Sequence, residues 1–186
     1  KEHKILLLVA VAVMAFFFVV SQPKMNDDGF HYEGFTESLA RGVVDFKSFY
    51  GFQGLSILSV PFFWLTGSSL SIIYTSMIFV LLSIPLIYLT ARDIYTSPKA
   101  GIYAVIIFLL TPYPYTTLMR GFQEGALLFF ILLIIYAGIN KKPWTPLAWA
   151  YGGLVKPFAL VLFPFFVAIR GQVPFLLIKK RYQTPL

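Results

Sequence analysis

The sequence predicts an all-α fold: a polytopic transmembrane helix bundle with an amphipathic juxtamembrane helix on its extracytoplasmic side. Three observations point there. Hydrophobic residues make up 58% of the chain and charged residues 12%, with a mean hydropathy of +0.77, whereas a soluble domain carries about 25% charge. Apolar runs recur between short polar breaks without the alternation of barrel strands, so the backbone must satisfy its hydrogen bonds within helices. Ten of the fifteen Lys and Arg residues then fall on one side of the membrane. Positive-inside bias therefore accounts for the net charge of +7, and no nucleic-acid partner is needed. Cysteine is absent, which removes disulfides, thiolate catalysis and Cys-ligated metals from consideration.

The apolar run Ile5 to Val20 follows Lys1 and Lys4 and is followed by no small-x-small cleavage site, so it predicts a first span with a cytoplasmic N-terminus. Pro23 to about Phe52 is the longest polar segment. Within it His31, Phe35, Leu39 and Val43 recur every four residues, and Glu33, Glu37 and Arg41 recur likewise, displaced by two positions. At about 100° per residue the two stripes lie roughly 200° apart, the pattern of an amphipathic helix on a membrane surface. Asp27 or Asp28 would stand at its N-terminus, where free amides favour an anion, and Gly42 would end it.

Phe52 to Thr66, interrupted by Gly54 and Pro61, reads as a re-entrant segment. If it crossed, the basic loops at Arg92 and Lys99 and at Lys141 and Lys142 would move outside, against the charge bias. Leu70 to Ala91, Ala100 to Thr117 and Gly125 to Ile139 are predicted spans. Trp144 to Ile169 is divided by Gly152-Gly153-Leu154-Val155-Lys156-Pro157. One continuous helix would place Lys156 mid-membrane at about 2.5–3.5 kcal/mol, so two short arms meeting at Lys156-Pro157 are expected. With no repeat, low-complexity tract or linker, residues 1–186 form a single membrane domain.

Under this topology six of the eight acids share the outer face with five basic residues. Asp27, Asp28, His31 and Glu33 crowd into seven residues there, and Arg120, Glu124 and Lys156 converge on the same face. Such a face suggests a polar cavity in which Lys156, Arg120 or both hold an anionic lipid headgroup while a carboxylate takes a proton. Plainer roles are open to the same residues: Asp27 or Asp28 as a helix cap, Glu124 as an acid favoured by a helix dipole, Lys156 as a snorkelling side chain, and His31 as an interfacial aromatic.

A first span followed by Asp-Asp-Gly-Phe-His-Tyr, then Arg-Gly-Phe-Gln-Glu-Gly at the head of a later span and Gly-Gly-Leu-Val-Lys-Pro-Phe-Ala in the next, resembles the N-terminal module of the C-type glycosyltransferases. The branch it most resembles is that of polyprenol-phosphate-sugar mannosyltransferases and aminoarabinose transferases. The resemblance implies a transferase that moves a sugar from a polyprenyl-phosphate donor to an acceptor on the extracytoplasmic side. It implies that Asp27 or Asp28 is the base or acceptor-orienting acid, that Glu124 lies by the same cavity, and that Lys156 lies near the donor phosphate. Arg120 and His31 join the lipid-phosphate site by proximity alone. No cofactor is expected, although the adjacent aspartates leave a divalent ion open. Expected partners are the lipid-linked sugar, membrane lipids and other membrane subunits. The expected location is the plasma membrane, or the endoplasmic reticulum in a eukaryote, with the site facing outside or the lumen. Family members usually run to many more spans, so a non-catalytic subunit of a larger membrane assembly is the alternative. A transporter fits less well, because its polar groups would have to be reachable from both sides.

Overall fold

A computed structural model of the chain describes residues 2–21, 25, 27–44, 53–68, 70–120 and 123–161. Every element among the described residues is helical: α1 (Glu2–Ser21), α2 (Asp27–Ala40), α3 (Gly54–Thr66), α4 (Ser71–Tyr95), α5 (Pro98–Leu110), α6 (Tyr113–Arg120), α7 (Glu124–Ile139), α8 (Thr145–Val155) and α9 (Phe158–Val161). Among them α4 alone is both long and apolar enough to cross a membrane; the apolar stretches of α1, α3, α5 and α7 are shorter.

The helix ends follow local chemistry. Gly42 takes a left-handed φ of 76°, which lets its amide reach the Leu39 carbonyl and the Val43 amide the Ser38 carbonyl, each at 2.9 Å. This is the Schellman closure expected of glycine at that position. The predicted span from Ala100 to Thr117 is instead two helices. Thr111 is extended at φ −82°, ψ 151°, because the ring of Pro112 disfavours helical backbone in the residue before it. The expected break at Lys156 is present: α8 ends at Val155, Lys156 is extended at φ −159°, ψ 135°, and α9 begins at Phe158. Anything the sequence predicts beyond Val161, including the rest of the second arm, lies outside the described residues.

α4 is the axis of the bundle, packing against α1, α2, α3, α5, α6 and α7. Close contacts fix directions. At the start of α7, Gly125 lies so near Ser76 and Val80 that an added Cβ would come within 2.8 Å and 2.9 Å of them, respectively. At its far end Asn140 donates to Asp93 at 3.1 Å. α4 and α7 therefore run parallel. Gly101, at the start of α5, abuts Tyr88 near the end of α4, making that pair antiparallel. α8 returns along α7, with Gly152 against Phe130. Arg92, Lys99, Lys141 and Lys142 thereby gather at one end of the bundle, and the starts of α4 and α7 lie at the other.

α3 does not traverse the bundle. Its first residue, Gly54, packs on the backbone of Leu154 and Val155. Only residues 67–70 separate Thr66 from the start of α4. Both ends of α3 thus lie at the end of the bundle away from the basic turns. Two apolar clusters fill the interior. One joins Ala10 and Met14 of α1 to Ile73, Val80 and Ile84 of α4 and Val105 of α5. The other joins Tyr32, Leu55, Ile72, Ala126, Phe130 and Val155.

Candidate functional site

Glu124 opens α7 and Lys156 follows the last turn of α8. Because α8 runs back along α7, these residues, 32 apart in sequence, meet: the Lys156 ammonium lies 2.5 Å from Glu124 Oε1. Two of the residues singled out from the sequence are brought together in this way. Their side chains are 33% and 29% exposed, respectively, so the pair is neither sealed in the core nor free in solvent. The break at Pro157 lets the lysine leave the helix axis and reach across. The Tyr113 hydroxyl donates to the Glu124 carbonyl at 3.0 Å and ties α6 to the same corner. Val155 and Ala126, beside the pair in sequence, share a cluster with Tyr32 of α2 and with the neighbouring Met25. The start of α2 is therefore at this end of the bundle.

α2 begins at Asp27. The side chains of Asp27, Asp28 and Arg120 lie outside those described. His31 is exposed. Its expected companions on an apolar stripe do not share one environment: Phe35 is buried, Leu39 half-buried and Val43 exposed. The buried face of α2 is instead Gly29, Tyr32, Glu33, Phe35 and Thr36, which corrects the stripe assignment. An outward polar stripe beginning at Glu33 is not what forms.

Glu33 is only 5% exposed. The Ser71 hydroxyl donates into its carboxylate, 2.9 Å and 3.0 Å from the two oxygens, and the Ile72 amide donates to Oε2 at 3.1 Å. These groups belong to the first turn of α4, whose own N-cap residue, Leu70, supplies no side-chain cap. Glu33 therefore caps a helix to which it does not belong, placing an anion at a positive helix end. Burial pushes its carboxyl from 4.5 up to about 7, and Glu37 adds to the rise, against the lowering pull of the Ile72 amide and the Ser71 hydroxyl. Around it the α2–α3–α4 contact is lined with hydroxyls. Ser56 Oγ lies 2.7 Å from Gln53 Oε1 and 3.0 Å from the Tyr32 carbonyl, and Thr36 donates to the same carbonyl at 2.8 Å. Sequence reasoning missed Glu33 because a polar residue facing serine looks no different from one facing water. The available signal was a long apolar helix that starts on leucine with no cap of its own.

Among the described residues no group of three or more His, Cys, Asp or Glu side chains is arranged to hold a metal ion. A separate cavity of about 340 Å³ is lined by Leu58, Phe130, Leu133, Leu147, Ala148 and Tyr151, with Trp144 at its edge of α8. The chain matches no family model, no curated protein and no solved structure.

Proposed function

We propose that the protein is a membrane-embedded transferase that moves a sugar from a polyprenyl-phosphate donor to an acceptor, using the end of the bundle that holds Glu124 and Lys156. The observation that carries this reading is the Glu124–Lys156 pair, formed at a helix break and still partly open to solvent. Lys156 is the cation for the donor phosphate. On exchanging Glu124 for that phosphate it leaves a carboxylate beside the reacting centre. The bond between the sugar's anomeric carbon and the phosphate oxygen breaks, and the acceptor oxygen bonds to that carbon. The acceptor's proton passes to a carboxylate, Glu124 or one of Asp27 and Asp28, and Lys156 offsets charge on the departing polyprenyl phosphate. Arg120 and His31 belong to the same proposed site through their positions in the chain. The many exposed apolar side chains, among them Phe16, Val19, Ile107, Leu110, Leu147 and Leu154, support a lipid environment, in which the basic turns face the cytoplasm.

Transfer of radiolabelled sugar from polyprenyl-phosphate donors to a membrane acceptor pool tests the reading. Turnover by the wild type, lost in Lys156→Ala and in Asp27→Asn/Asp28→Asn while both variants remain folded, is the expected result. The second reading is a non-catalytic membrane subunit that uses the apolar faces for assembly. The largely apolar cavity and the exposed apolar surface favour it. Absence of turnover from any donor, with native membrane partners supplied, would select it.

A further inference from the structure

We propose that Glu33 is a positioning residue, a clasp that fastens α2, which begins at Asp27, to the N-terminal end of α4. The clasp stands on geometry alone; only its bearing on catalysis rests on the transferase reading. A helix of 14 residues is marginal by itself, so α2 depends on what it docks against. Elsewhere α2 is held by the burial of Tyr32 and Phe35 and by α3, where Ser56 donates to the Tyr32 carbonyl and, near the far end, Trp64 to the Ala40 carbonyl, each at 3.0 Å. Near the other end Glu33 alone satisfies both the Ser71 hydroxyl and the Ile72 amide. Losing it leaves two buried donors of α4 to find new partners.

The clasp responds to pH. The titratable groups on the elements around Glu33 are Asp27, Asp28, His31, Tyr32 and Glu37 on α2, the last paired with Arg41, and on α4 Tyr74, with Tyr88, Arg92, Asp93 and Tyr95 toward its far end; α3 carries none. The charge that acts on Glu33 from among them is that of Glu37, which raises its carboxyl further. The docked carboxyl titrates at about 7, whereas a released one would titrate near its ordinary value, so release of α2 gives up a proton. The docked state is firmest below about pH 4.5 and loosens as pH rises through 7.

Amide hydrogen exchange on the full chain in lipid nanodiscs tests this, reading residues 28–40 at about pH 5.5 and about pH 8, with rates corrected for intrinsic exchange. In the wild type, protection of α2 is expected to fall on the order of tenfold between the two conditions. Glu33→Gln, a neutral isostere of the protonated acid, should keep the protection and lose the pH response. Glu33→Ala should lose protection at both pH values. A Gln variant with the wild-type pH response, or an Ala variant with wild-type protection, would overturn the proposal. The Gln variant decides the matter even where Ala fails to fold. Exchange is read without turnover, so inactivity of the wild type with this exchange pattern intact would count against the transferase reading alone.

Discussion

Glu33 and Glu124 stand at the positive ends of two parallel helices, α4 and α7, and differ in what they face. Glu124 is the first residue of its own helix, a third exposed, and meets the mobile charge of a lysine. Glu33 comes from a different helix, is buried, and meets only neutral donors. The dipole favours both carboxylates. Burial separates them. With a cation available, a carboxylate at a helix end can exchange partners with an incoming phosphate. Walled in by a serine and an amide, it becomes an anchor whose charge is costly and whose proton is held tightly.

The comparison breaks most sharply at Glu33→Lys, which sets a cation against the positive end of α4 in a buried position. A loss of about 3–5 kcal/mol is expected, read as a large fall in Tm of the detergent-solubilised protein. Titration sharpens it next. The Glu33 carboxyl is raised from 4.5 to about 7, so its contribution to stability is fully present below about pH 4.5 and is lost as pH rises through 7. The difference in unfolding free energy between wild type and Glu33→Gln should shift by on the order of 2–3 kcal/mol across that window. An unchanged difference would put Glu33 in water.

Gly54→Ala probes the other corner. Its Cβ would come within 2.6–2.8 Å of backbone atoms of Leu154 and Val155, which cannot rotate away. About 1–3 kcal/mol of destabilisation is expected, accompanied by displacement of Lys156 from Glu124, measurable as loss of an engineered cross-link between the two positions. Lys156→Ala removes a pair that is about a third exposed. Solvent screening limits its stability cost to about 1 kcal/mol, so a much larger fall in transfer activity would separate function from folding. The smallest effect belongs to Arg41→Ala. Its pairing with Glu37 lies on the outer face of α2, and less than about 0.5 kcal/mol should change.

Much of the fold was legible because the helices obey local rules. Gly42 stops α2, Pro157 separates α8 from α9, and the clustering of lysines and arginines correctly groups the turns at one end of the bundle. The pairing of Glu124 with Lys156 was legible as a shared face, since the chain reverses direction between them. What was not legible has a common physical origin. The face that α2 buries contains Glu33 and Thr36, and the surface receiving it contains Ser56 and Ser71. Hydrophobic periodicity reports burial only where the buried surface is apolar. Likewise the run from Ala100 to Thr117 has the composition of one span, but Pro112 sets a backbone break at Thr111 that composition does not register.

The partners of Glu33 lie 38 and 39 residues further along the chain. Because a polypeptide is made from its N-terminus at about 5–20 residues per second, α1, α2 and α3 leave the ribosome before the helix that organises them exists. Until Ser71 and Ile72 emerge, Glu33 lacks the two donors it caps, and α2 can dock against α3 alone. Assembly of this end of the molecule is therefore timed by the synthesis of α4. A chain interrupted before residue 72 would carry α2 without the helix end to which Glu33 fastens it.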